Sequence, residues 1–120
     1  MVCQREIIEV SYIMPNGKIL NHPALVLSSD ELFNKENGMF YAVLISTKNY
    51  HPDYTIKIED EWLNKPMGRE SYFVTHIVTY FTPQHIINRM GTFMKEEFFD
   101  RVVAKIIKSI FELDIDYQDE

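Results

Sequence analysis

Asn21-His22-Pro23-Ala24-Leu25-Val26-Leu27-Ser28 joins a proline-fixed entry to an unbroken apolar run. A short apolar run of this kind, without polar interruption, predicts a buried central strand. Pro23 suits its first position, where no backbone donor is needed. The proline ring also biases His22 toward an extended backbone, so the imidazole projects from a rigid corner at the strand entry. An imidazole held in this way is a candidate acid, base or phosphate ligand.

Upstream, Ile8, Val10 and Tyr12 alternate with Glu9 and Ser11, the period of a half-buried strand. Asn16-Gly17 then supplies a tight hairpin turn, and Lys18 to Leu20 returns toward Pro23 as a separate segment. Downstream, Ser28 to Gly38 predicts one helical turn within a polar loop, capped by Ser28 or Ser29. Phe40 to Thr47 predicts a strand that delivers the hydroxyls of Ser46 and Thr47 to the edge of the core. A short strand at Tyr54 to Ile58 and a long one at Ser71 to Phe81 follow. Thr82-Pro83 reads as a helix start and Gly91 as its stop. In the last element, Phe98, Val102, Ile106 and Ile110 form one i,i+4 row beside Phe99, Val103, Ile107 and Phe111, a stripe that must cover the sheet or another subunit. Together these predict a small, β-dominated α+β fold with a curled antiparallel sheet of five or six strands.

The 120 residues, 46% hydrophobic and 25% charged, are those of one globular domain. We expect residues 1–111 to form it and residues 112–120 to be an acidic tail. No apolar run approaches the roughly 20 residues of a membrane span. The N-terminus does not read as a secretion signal, and a single cysteine, Cys3, precludes an internal disulfide; both suggest a cytoplasmic protein. The net charge of −6 is concentrated at the end. The tail carries five acids, leaving thirteen acids against twelve bases, a net of −1, on the remainder. Such a body permits RNA binding through a local basic patch.

Cys3, His22, His51, His76 and His85 show no short paired spacing of the kind zinc sites use, so neither a metal nor another cofactor is expected. Four scattered glycines build no phosphate loop or dinucleotide fingerprint. Glu59-Asp60-Glu61 reads as a solvated loop, His76 as a hydrogen-bonded core histidine, and His51 and His85 as surface residues. His22, Ser46 and Thr47 remain as candidate chemistry, converging if their strands are antiparallel neighbours.

His22-Pro23-Ala24-Leu25-Val26-Leu27-Ser28 resembles the "R-P-A-L-V-L-S" strand of the PemK/MazF family of mRNA endoribonuclease toxins. Ile45-Ser46-Thr47 looks like that family's hydroxyl-ended strand, and Ser71 to Thr79 is similar to its segment ending "Q-I-R-T". The resemblance runs from about Glu6 to Phe111. It implies an SH3-like barrel with a C-terminal amphipathic helix, working as a homodimer and held by an antitoxin protein. The implied substrate is single-stranded RNA, cleaved without a metal when the ribose 2′-hydroxyl attacks the adjacent phosphate. Three departures stand out. His22 replaces the strand-entry arginine, Val78 the arginine of "Q-I-R-T", and Arg5-Glu6 the usual initial Gly-Asp. A histidine shuttles protons better than an arginine but clamps phosphate less well. The expected roles are therefore His22 as acid or base, Ser46 as donor to a phosphate oxygen and Thr47 as its helper, with His76 and Thr79 on the RNA. Lys18 or Lys48, near in sequence, is expected to supply the missing charge. A rival reading keeps the barrel as a protein- or RNA-binding module without catalysis. A weaker one, the gyrase-poisoning branch, is associated with a Trp-Gly-Ile ending, where this chain has Gln118-Asp119-Glu120.

Overall fold

The computed structural model describes residues 1–49 and 51–113. β1 (Glu6–Ile13) and β2 (Ile19–Val26) form a hairpin in register from Ile13↔Ile19 to Ile7↔Leu25. Its turn closes where Gly17 takes a φ of 88°, accessible without steric cost only to glycine, and the Asn16 carboxamide accepts the Lys18 N–H at 3.0 Å. β2 is thus one continuous strand through Pro23 rather than the two segments expected. Its ladder to β3 (Phe40–Ser46) begins at Ala24, directly after the residue that lacks an N–H.

A six-residue helix, α1 (Asp30–Lys35), links β2 to β3, and Ser29 caps it by accepting the Leu32 N–H at 3.2 Å. β4 (Thr55–Lys57), β5 (Tyr72–Phe81) and β6 (Ile86–Phe93) complete one antiparallel sheet in the order β4-β5-β3-β2-β1-β6. The sheet is open, with β4 and β6 at its edges. The C-terminal helix is α2 (Glu96–Phe111).

Both faces of the sheet are covered. Ile7, Leu25, Val43, Ile45 and Phe73 pack beneath Trp62, Leu63, Met94 and the Phe99, Val102 and Ile106 stripe of α2. Ile8, Val10, Ala24, Val26, Phe40, Ala42, Leu44 and Phe81 form the opposite core with Val2. This explains why the runs in β2 and β3 are apolar without alternation. It also corrects the half-buried reading of β1, whose Ile7 and Ile8 are both buried on opposite sides.

The expected helix after Thr82-Pro83 does not form. Pro83–His85 makes a single 3₁₀ turn, tied by the Thr82 N–H donating to His85 Nδ1 at 3.0 Å. The chain then extends as β6 along β1. Between Ile7↔Thr92 and Ile8↔Arg89 the register slips, leaving Met90 and Gly91 as a bulge. Gly91, read as a helix stop, serves this bulge at φ 70°. The bulge carbonyls accept from Lys65 Nζ (2.8 Å) and Asn64 Nδ2 (3.0 Å). Strand pairing thus overrode a valid local helix signal. The chemistry of the acidic tail falls almost wholly outside the described residues.

Candidate functional site

The antiparallel pair Ala24↔Leu44 decides what meets at one end of the sheet. Two residues further along each strand stand His22, at the entry to the apolar run of β2, and Ser46, at the exit of β3. His22 is half-buried and makes an edge-to-face contact with Tyr12, ring centroids 6.0 Å apart. Ser46 Oγ accepts the Lys48 N–H at 3.1 Å. That bond occupies a lone pair and leaves the hydroxyl proton free to be donated outward.

Two hollows meet along His22, Ile45 and Ser46. One, of about 590 Å³, has a largely apolar lining that includes Leu20, Ile45, Met67 and Met90, to which Glu9, Lys48 and Arg69 bring charge beside His22, Ser46 and Thr47. The other, of about 390 Å³, is apolar and ringed by aromatic side chains, with His76 and His22 both in its lining. The structure therefore gathers His22, Ser46, Thr47 and Lys48 in the first hollow and places His76 in the second. Lys18 sits at the hairpin tip and Thr79 pairs with Ala42 on β5; neither lines either hollow. His76 is exposed, correcting its reading as a core histidine, and lies 4.8 Å from the Tyr54 ring. His51 has a local role, its Nδ1 accepting the Asp53 N–H at 3.2 Å.

Arg69, Glu9 and Tyr54 were not legible as site residues. Arg69 lies between Gly68 and Glu70 in a polar loop, and only the fold carries it to the end of β3. Its backbone is held by Ser71 Oγ, which donates to the Arg69 carbonyl at 3.0 Å. Its acidic neighbour Glu70 is engaged elsewhere: the Tyr72 hydroxyl donates to it, and Lys57 lies 3.6 Å away. These contacts, the hydroxyl's first, hold the Glu70 carboxyl below its ordinary range, and the bond to Glu70 pushes the Tyr72 phenol up.

Arg5 and Glu6 are structural. Arg5 adopts φ 73°, a conformation that glycine takes without strain, and its guanidinium donates to the Met94 carbonyl at 2.8 Å. Glu6, 1% exposed, accepts Arg89 Nε at 2.7 Å, an Arg89 terminal nitrogen at 3.0 Å and the Cys3 N–H at 3.0 Å. The bidentate pair raises the Arg89 pKa. Among the described residues, no group of three His, Cys, Asp and Glu side chains is arranged to hold a metal ion, and no helix is long and apolar enough to cross a membrane.

A family model described as the PemK-like, MazF-like toxin of type II toxin–antitoxin systems matches residues 4–110. No curated protein matches significantly. Among solved structures, the Mycobacterium tuberculosis toxin MazF-mt6 is similar with a TM-score of 0.68 at 14% identity, covering 92% of this chain and all of that one. MazF from Deinococcus radiodurans gives 0.69 at 11% identity, over 89% and 94% of the two chains. An endoribonuclease in complex with its cognate antitoxin, from a mycobacterial species, gives 0.66 at 9% identity, over 91% and 94%.

Proposed function

Because the chain belongs to the PemK-like, MazF-like toxin family of type II toxin–antitoxin systems, we propose that it is a sequence-selective endoribonuclease whose centre is the His22–Ser46 hollow. The observation that carries this reading is the convergence of an imidazole, a free hydroxyl proton and two cationic side chains in one hollow. Cleavage by 2′-hydroxyl attack needs a base for that hydroxyl, an acid for the leaving 5′-oxygen, and positive charge against the extra negative charge of the pentavalent transition state. Glu9 and His22 are the titratable pair facing the hollow from β1 and β2. In this scheme Glu9 takes the 2′-hydroxyl proton and His22 protonates the 5′-oxygen, leaving a cyclic phosphate and a free 5′-hydroxyl. Ser46 donates to a non-bridging phosphate oxygen, with Thr47 beside it. Lys48 and Arg69 supply the charge that the family's two arginines would give. No metal enters the scheme.

The substrate on this reading is single-stranded RNA in the cytoplasm, and residues 1–111 form the working domain. The proposed partners are a second copy and an antitoxin. Their support is the neighbour solved with its cognate antitoxin and the apolar surface at the hairpin tip, where Ile13 and Ile19 are each 64% exposed.

The test is incubation of purified protein with mixed-sequence RNA in the presence of a chelator, beside Ser46→Ala, with the ends mapped. Discrete cuts bearing cyclic phosphate and 5′-hydroxyl ends, lost in the variant, are expected. Intact RNA from a folded, antitoxin-free preparation would leave a binding module as the better reading.

A further inference from the structure

We infer that the apolar hollow beside the His22–Ser46 centre is a nucleobase pocket, which takes the base of a nucleotide adjoining the scissile phosphate. This inference rests on the ribonuclease reading and names how that site selects its RNA.

Five rings bound the hollow: Tyr12, His22, His51, Tyr54 and His76. They come from β1, β2, the turn before β4, and β5, so the fold assembles them from four separate segments. His51, Tyr54 and His76 form a continuous ladder, with centroid separations of 5.6 Å and 4.8 Å and interplanar angles of 43° and 47°. His51 is held in place by the Asp53 N–H on its Nδ1. Among the described residues, no Lys, Arg, Asp or Glu lines this hollow. It therefore lacks the fixed cations a phosphate needs and offers flat π-faces over an apolar floor of Leu44 and Val74. A planar, neutral heterocycle matches such a surface, because every base has a π-face that stacks on aromatic rings.

The adjoining hollow, though also largely apolar in lining, differs in carrying charge, with Lys48 and Arg69 as cations and Glu9 as an anion. The two share His22 and Ser46. A phosphate held by the charged hollow thus has its neighbouring base at the mouth of the aromatic one. With Ser46 committed to the phosphate, the imidazole of His76, which lines the hollow, is the polar group that can donate to or accept from the edge of that base, which turns stacking into selection.

The test measures single-turnover cleavage of oligoribonucleotides in which each position around the cut carries, in turn, an abasic ribose that keeps its 2′-hydroxyl. If RNA binds uncut, the same comparison is read in Kd. In the unsubstituted protein, removing the base at one flank is expected to weaken kcat/KM roughly 10- to 100-fold, the loss of one stacked base. In Tyr54→Leu and in His76→Leu that factor should fall to within about threefold of unity, whereas Tyr54→Phe keeps it. Thermal unfolding checks that each variant folds, and the pair of substitutions on different elements guards against one that does not. If folded variants retain the full abasic penalty, or if no flanking base matters in the unsubstituted protein, the pocket assignment is overturned. RNA left both unbound and uncut by the unsubstituted protein overturns the ribonuclease reading, and the occupant of the pocket with it.

Discussion

Replacing Arg69 by methionine keeps much of the side-chain bulk and removes one of the two cationic side chains that line the charged hollow. If the hollow stabilises a transition state that gains about one negative charge, the loss can be bounded. At roughly 4 Å a unit charge contributes about 1 kcal/mol in water and about 4 kcal/mol at the effective dielectric near a protein surface. Arg69 is exposed, yet it faces a hollow walled on one side by the apolar end of the sheet, so a value of about 2 kcal/mol follows. That corresponds to a decrease in kcat of roughly 30-fold. Arg69→Lys keeps a point charge but not the planar fork, and should fall between the two. The assay is single-turnover cleavage at saturating protein, with thermal unfolding as the control for folding. None of the ion pairs among the described residues uses Arg69, so the substitution should leave stability nearly unchanged. A rate within twofold of the parent, alongside a large loss in Lys48→Met, would refute the assignment and place the charge on Lys48 alone.

Arg89→Met should destabilise the fold by about 3 kcal/mol, the low end for breaking a buried pair, because Glu6 is 1% exposed but the Arg89 side chain is 44% exposed. Adding Glu6→Gln should recover part of that loss in urea unfolding, since the stranded charge is then gone; a fully additive double variant would contradict this. At position 5, Arg5→Gly should exceed Arg5→Ala in stability by about 1 kcal/mol, because both lose the bond to the Met94 carbonyl but only alanine keeps the strain of φ 73°. Tyr72→Phe should move the Glu70 carboxyl titration upward in NMR, since the Tyr72 hydroxyl is the main cause of its depression. A depressed carboxylate favours the folded state above its ordinary pKa and loses that advantage as pH falls through the folded-state value. The stability gap between parent and Tyr72→Phe should therefore close on acidification, and a gap that widens would reverse the sign of the argument.

The parts of the fold that could be read from sequence were those whose signal is local and whose environment agrees with it. Asn16-Gly17 makes its hairpin, Ser29 caps its helix, and the α2 stripe buries Phe99, Val102 and Ile106. β6 was illegible because Thr82-Pro83 and Gly91 carry the same local chemistry at a strand bulge as at the two ends of a helix. Only the ladder to β1, far away in the chain, distinguishes them. The same division separates the site residues. His22 and Ser46 could be paired in advance because they terminate neighbouring apolar runs. Glu9, Arg69 and Tyr54 sit in β1, a loop and a 3₁₀ turn whose sequences hold no sign of a common destination.

His22 and Val78, the two positions at which the motif resemblance would place the family's arginines, are not equivalent. His22 still stands at the entry of the apolar run in β2, open to both hollows, so a different side chain there changes the chemistry and leaves the geometry available. Val78 packs against the core beneath α2 and lines neither hollow. A guanidinium at that position would have to leave the core to reach the site, at the expense of the packing that Val78 now provides. Positive charge for a phosphate must therefore come from segments free of packing duty. Lys48, just past the end of β3, and Arg69, ahead of β5, are two such positions. Both flank the Ser46↔Tyr72 pair that closes the sheet at this end, and both side chains line the charged hollow. On the proposed reading, the charge that meets the phosphate comes from loops rather than strands. Its contribution should therefore fall more steeply with salt than that of a buried arginine, because exposed charges are screened over about 8 Å at physiological ionic strength.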